Sequence, residues 1–176
     1  MNVGGPASNE HFRNNLIIAQ GAMEPVFTVG TFTNYSTSDY NGFRPNPGAG
    51  VSFQWNSPPF DVASEYVKPP VVRRYKTLAE YSQATGQDKH SVLLDYDIFL
   101  DVTRPDMNDP QRLYDPARFD FRLKPGSAAV DAGVVLPNIN DGFTGRAPDL
   151  GAFEIDRPLP HYGPRSSPAR SDSSVK

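Results

Sequence analysis

The sequence predicts an all-β, loop-rich fold, and three features carry that expectation. Short β-prone runs, such as Val26-Phe27-Thr28-Val29 and Val51-Ser52-Phe53-Gln54-Trp55, recur between turn-forming residues. Near the C-terminus Phe119, Phe121 and Leu123 alternate with Asp120, Arg122 and Lys124, the period-two pattern of a half-buried strand. One stretch alone carries a complete helix signature. In Thr77-Leu78-Ala79-Glu80 a threonine N-cap is followed three residues later by a glutamate, and Gly86 stands ready to end the helix in the left-handed region.

Taken in order, His11 to Ile18 holds a short strand around an asparagine pair, Asn14-Asn15, and asparagine tolerates the left-handed backbone of a sharp bend. Residues 26–29 form the next β-prone run. Asn34 to Phe43 reads as a strand and then a turn, with Asn41-Gly42 as the turn signal. Residues 44–75 are an excursion punctuated by Pro45, Pro47, Gly48, Gly50, Pro58-Pro59 and Pro69-Pro70. The helix from Thr77 is expected to reach Thr85. Ser91 to Leu94 and Tyr96 to Leu100 are further strand candidates, and 103–118 is a charged, proline-bearing loop. Pro125-Gly126 breaks the alternating strand, Ser127 is placed to cap a short helical turn, and Leu150 to Ile155 reads as a last apolar strand. Beyond Arg157 the Pro- and Ser-rich composition predicts disorder, which divides the chain into a body, 1–156, and a tail, 157–176.

Two segments, "DFRLKPGSAAVDAG" from Asp120 and "NDGFTGRAPDLGAFE" from Asn140, resemble the closing segment of right-handed parallel β-helix proteins of the pectate-lyase-like superfamily. "SDYNGFRPN", "FQWN", "LAEYSQATGQDKHSVLLD" and "DIF" are similar to the stretch just upstream of that closure in secreted bacterial polysaccharide-acting members. The likeness spans Phe12 to Glu154. It implies the C-terminal coils of a right-handed parallel β-helix, a solenoid, with a loop-rich excursion, one short α-helix and a disordered tail. It also implies an extracellular or cell-envelope location. The early runs suffice for about two coils, and stacked repeats need about three to bury their faces. The chain is therefore expected to be the closing portion of a larger protein whose upstream coils are its partner.

Composition narrows the chemistry. With 38% hydrophobic residues, 18 Pro and 14 Gly, the chain must spend much of its 176 residues in loops. The absence of Cys excludes disulfides, cysteine–zinc sites and thiol catalysis. No apolar run is long enough for a membrane span, and the first five residues have neither the basic start nor the apolar run of a signal peptide. Residues 157–176 carry Arg157, Arg165, Arg170 and Lys176 against Asp172, so the body holds 13 basic and 19 acidic side chains, a net of −6. Nucleic acid is excluded as a general partner, because phosphate binding needs a basic face.

A polysaccharide lyase needs a base poised near the working pH and a cation for the developing enolate-like charge. Of three histidines, His90 is the one placed to act, either as that base or as a residue pinning the turn after the helix. Arg73 and Arg74, with Lys68 and Lys76, form the local basic cluster, fit for uronate or sulfate or else for pairing with Asp61 and Glu65. Trp55, Tyr40 and Phe43 offer either a sugar-stacking platform or packing at the junction of the excursion. Asn138 to Gly142 fails as a calcium loop: with Gly142 at the sixth position, Pro137 and Ile139 fall where side-chain oxygens are required. Calcium belongs to larger members of the resembled superfamily and has no ligand set here, so no cofactor is expected. The substrate-binding candidates are thus Tyr40, Trp55, Arg73, Arg74 and His90, with no catalytic set defined. The leading expectation is a structural, capping portion of an extracellular carbohydrate-directed protein. A lyase or glycoside hydrolase acting on an acidic polysaccharide and a non-catalytic adhesion or scaffold module are the alternatives.

Overall fold

The computed structural model describes residues 1–3, 9–21, 25–33, 35–58 and 71–159. The tail from residue 160, with His161, and residues 59–70 of the Pro-rich stretch, with Asp61, Glu65 and Lys68, lie outside them. The elements in order are β1 (Asn2–Val3), β2 (His11–Phe12), β3 (Leu16–Ile18), β4 (Phe27–Val29), β5 (Thr37–Ser38), β6 (Gly42–Arg44), β7 (Phe53–Trp55), β8 (Arg74–Tyr75), α1 (Leu78–Thr85), β9 (Val92–Leu93), β10 (Phe99–Asp101) and β11 (Asp120–Leu123). Short 3-10 turns occupy Tyr96–Ile98 and Pro116–Arg118.

These strands form four small separate sheets, β1-β4-β7-β8, β3-β6-β9, β2-β5 and β10-β11. The expected all-β right-handed parallel β-helix is thereby corrected: the described chain has mixed α/β content in small sheets. Its strands are two to four residues long. Parallel pairing does occur in the first half. Leu16 pairs with Gly42, His11 with Thr37 and Phe27 with Phe53, each 26 positions apart. The order then changes. β8 returns antiparallel onto β7, α1 follows, and β10 pairs antiparallel with β11. The physical cause lies in the sequence after Pro58: β8 leads at once into the strong Thr77 cap, which commits the next residues to a helix rather than to another parallel strand.

Two apolar clusters sit on opposite faces of the β3-β6-β9 sheet. Phe12, Ile17, Val26, Phe27, Val29, Phe43, Phe53, Trp55 and Tyr81 form the first, with Tyr75 and Leu78 packed against it. Its rings stack edge to face and face to face, as in Phe43 against Phe53 at 5.2 Å and Phe53 against Tyr81 at 5.1 Å. The second cluster is Ile98, Phe99, Leu123, Ala129 and Leu150, with Leu16, Ile18, Val92 and Leu94 packed against it. Alternation along each strand sends Ile17 and Phe43 to one cluster and Leu16 and Ile18 to the other.

α1 is where the sequence puts it. Thr77 accepts from the Glu80 N–H, Glu80 reaches back to the Thr77 N–H, and Gly86 closes the helix at φ 74°. Other local signals were overridden by packing. Asn41-Gly42 is not the turn: the bend falls on Tyr40, Asn41 is buried, and Gly42 opens β6. Residues 53–55 belong to the main sheet rather than to an excursion. Residues 150–155 contain no strand, and the Ser127 hydroxyl is buried without a partner rather than capping a turn.

Candidate functional site

Two of the five predicted site residues come together. Tyr40 and His90 stack ring on ring, centroids 4.7 Å apart and planes 16° from parallel. Asp39 joins them: its Oδ2 lies 2.7 Å from His90 Nδ1, and its Oδ1 accepts from the His90 and Tyr40 N–H groups at 2.8 and 3.0 Å. Burial works to raise the Asp39 carboxyl, but these hydrogen bonds outweigh it and hold the group below the usual carboxylate range. An ionised Asp39 places the ring hydrogen on Nδ1 and leaves Nε2 as the available nitrogen.

The turn beneath explains the placement. Asn14 and Tyr40 both adopt the left-handed region, at φ 58° and 54°, and stand 26 residues apart at the bends that precede the paired strands β3 and β6. A tyrosine there carries a backbone cost of about 1 kcal/mol or more. Asn41 offsets it. Its Oδ1 accepts from Asn15 Nδ2 at 2.9 Å, and its Nδ2 lies within 3.0–3.2 Å of Asp88 Oδ1, Ser38 Oγ and the Asp39 and Phe12 carbonyls. Ser91 Oγ also donates to Asp88 Oδ1. Beside this network burial, and then the Asp88 charge, push the Tyr81 hydroxyl far above its ordinary range, so it stays a phenol.

The other three candidates lie elsewhere. Trp55 is 3% exposed, with its ring tilted against Phe27 and Tyr81, so no sugar face can reach it. The Arg73 guanidinium donates to the Trp55 and Ser57 carbonyls and its backbone N–H donates to Asn56 Oδ1, so Arg73 fastens β7 to the chain beside β8. Arg74 Nε donates to Gln54 Oε1. The stacking platform and the arginine pair are therefore not one site.

Sequence reasoning missed two features. Arg44, nearly buried, donates to Asp95 at 2.6 Å and to the Ala19 carbonyl and lies over the Tyr96 ring at 5.2 Å. Asp95 also accepts from Arg104, so this network ties β6 to the following 3-10 turn. The second feature is an apolar cleft of about 620 Å³ at the end of the second cluster, bounded by Leu16, Phe99, Phe121, Leu123, Leu150 and Phe153. It adjoins β3, which is an edge strand of its sheet. The alternating phenylalanines around Phe121 were the signal available, but only the fold shows that Phe121 remains 47% exposed.

The described residues define a mixed α/β chain of small sheets. Comparison with known protein families, with curated proteins and with solved structures finds no match.

Proposed function

We propose that this chain is a structural closing module of a larger, extracellular, carbohydrate-directed protein, without a complete catalytic site of its own. The observation that carries this reading is the unlike treatment of the two ends of the parallel ladders. At one end β7 is covered by antiparallel β8 and by α1, whose Tyr81 is fully buried. On the same side β5 is met by Gln87 and Asp88, which bond to the Ser38 N–H and C=O, and β6 by β9. At the other end β1, β2 and β3 are all edge strands among the described residues. An edge with unmatched backbone groups favours further strand pairing. The carbohydrate-directed and extracellular parts of the proposal are supported by the sequence resemblance alone, in residues 120–133 and 140–154 and in the upstream segments between Ser38 and Phe99.

The Asp39–His90 pair supplies a proton acceptor, but no Arg or Lys bonds to it among the described residues, and lyase chemistry requires a cation beside the base. The test is turnover on pectate, alginate and glycosaminoglycans followed by ultraviolet absorbance of unsaturated uronate, together with reducing-end release. No product is expected from this chain alone. Product formation that is lost in His90→Ala would overturn the proposal and assign the pair a catalytic role.

A further inference from the structure

The uncovered edge of β3 and the apolar cleft beside it are one feature. In a parallel ladder successive residues direct their N–H and C=O groups to opposite edges. Asn15 and Ala19 bond toward β6, through Gly42 N–H to Asn15 C=O at 2.8 Å and Ala19 N–H to Arg44 C=O at 3.0 Å. Ile17, two residues from each, shares that direction, so the backbone groups of Leu16 and Ile18 point to the other edge, where no described strand pairs. Just before them the chain bends at Asn14, whose N–H donates to Tyr40 C=O and whose C=O accepts from Gly151 N–H, each at 2.8 Å.

The cleft lies on the outward face of the same sheet, at the same end. Leu16 forms one wall, and Phe99, Phe121, Leu123, Leu150 and Phe153 form the rest. One strand further in, the position equivalent to Leu16 is Gly42, where Leu16, Leu94 and Leu150 already crowd the space. One strand further out, that crowding gives way to open volume. Resting on the closing-module reading, we infer that the occupant is a parallel strand of the larger protein, with a large apolar residue in register with Leu16 that fills this cleft. Parallel orientation follows from β1, β2 and β3, which pair parallel at their covered edges and have no strand on their other edges among the described residues. A single connected segment running the same way would extend β2 and β3 in turn, as β5 and β6 do on their covered side.

The probe is a blocked peptide of the chain's own residues 14–19, Asn-Asn-Leu-Ile-Ile-Ala, which in parallel register sets its leucine beside Leu16. Added to the full chain, it should shift the amide signals of Leu16 and Ile18 and the ring signals of Phe99 and Phe121. A nitroxide on its N-terminus should broaden Asn15 more than Ala19. Phe121→Asp, at an exposed position, and replacement of the peptide's leucine by aspartate should each weaken binding at least tenfold. Binding that shifts Leu16 but ignores both changes would overturn the cleft assignment while leaving the closing-module reading in place. Stronger broadening at Ala19 would show an antiparallel occupant, such as a second copy paired about Ile17, and would overturn it too. No shift at the edge sinks the inference, whereas the glycan turnover assay decides the closing-module reading independently.

Discussion

Gly42 stands where three leucines from three segments converge. A Cβ there would lie 2.3 Å from Leu94 Cδ2, 2.8 Å from Leu16 Cδ2 and 3.2 Å from Leu150 Cδ1. Overpacking of this kind costs about 1–3 kcal/mol, so Gly42→Ala should lower the urea midpoint by that equivalent. Gly50→Ala, with no neighbouring atom within 4 Å, is the control and should change little. Equal midpoints for both would mean that the leucines move aside freely. Asp39 gives a second residue-level outcome. Its folded pKa is lowered, so its contribution to stability is present above the unfolded value of about 3.9 and is lost as pH falls through the folded pKa. The wild-type chain should therefore lose more stability than Asp39→Asn across that acidic window in parallel denaturant titrations. Identical slopes would show that the His90 contact does not persist in solution. At this scale the sequence was legible only in part. Tyr40 and His90 could be named, but Asp39 between them could not, because its role depends on a contact spanning 51 positions. Trp55 was ambiguous for the opposite reason: a tryptophan between prolines reads equally as a surface ring or a core ring, and only pairing of β7 with β4 decides for the core.

Elements whose instructions are local were readable, and those made by distant partners were not. α1 is specified within ten residues by Thr77, Glu80 and Gly86, and it forms there. Thr77→Ala removes the hydroxyl that accepts from the Glu80 N–H at 3.1 Å and should cost about 1 kcal/mol. Thr77→Ser should recover most of it, as read by thermal melts of the three proteins. A melt unchanged by Thr77→Ala would mean that packing of Tyr81 alone holds the helix. β10 and β11 show the contrast. Each had a strand-like pattern, yet antiparallel pairing between Phe99 and Leu123 depends on the intervening loop folding back, which no local pattern announces. Leu150 to Ile155 is apolar enough for a strand, but its backbone is claimed by other partners. Gly151 bonds to Asn14, Ile155 N–H donates to Asp149 Oδ2 at 2.6 Å, and Leu150 N–H donates to the Ala129 carbonyl. Burial meanwhile raises the Asp149 carboxyl above its ordinary range.

Across the whole molecule, the β3-β6-β9 sheet is a shared wall with an aromatic cluster on one face and an aliphatic, loop-built cluster on the other. The family resemblance led toward one continuous stack because its motifs lie in the very loops that build the second cluster. Motif likeness reports local chemistry and not how many parallel strands precede it. The shared wall also predicts how the protein opens. The first cluster is made of strands paired in ladders, while the second is held largely by turns, and segments with few ladder bonds open with less free energy than the global transition. Leu150, 1% exposed, touches the wall at Leu16 and Gly42 through the closing loop. Phe27, fully buried, contacts Phe12, Phe43 and Trp55 in the first cluster. Each truncation to alanine should cost roughly 2–5 kcal/mol, but the costs should be distributed differently. In native-state hydrogen exchange, Leu150→Ala should speed exchange at Leu123, Val130 and Gly151 while leaving Val29 and Phe53 protected. Phe27→Ala should speed all of them, because loss of the first cluster removes the wall on which the second is laid. Equal acceleration throughout in both variants would show that the two clusters unfold as one unit, and the layered account would fail.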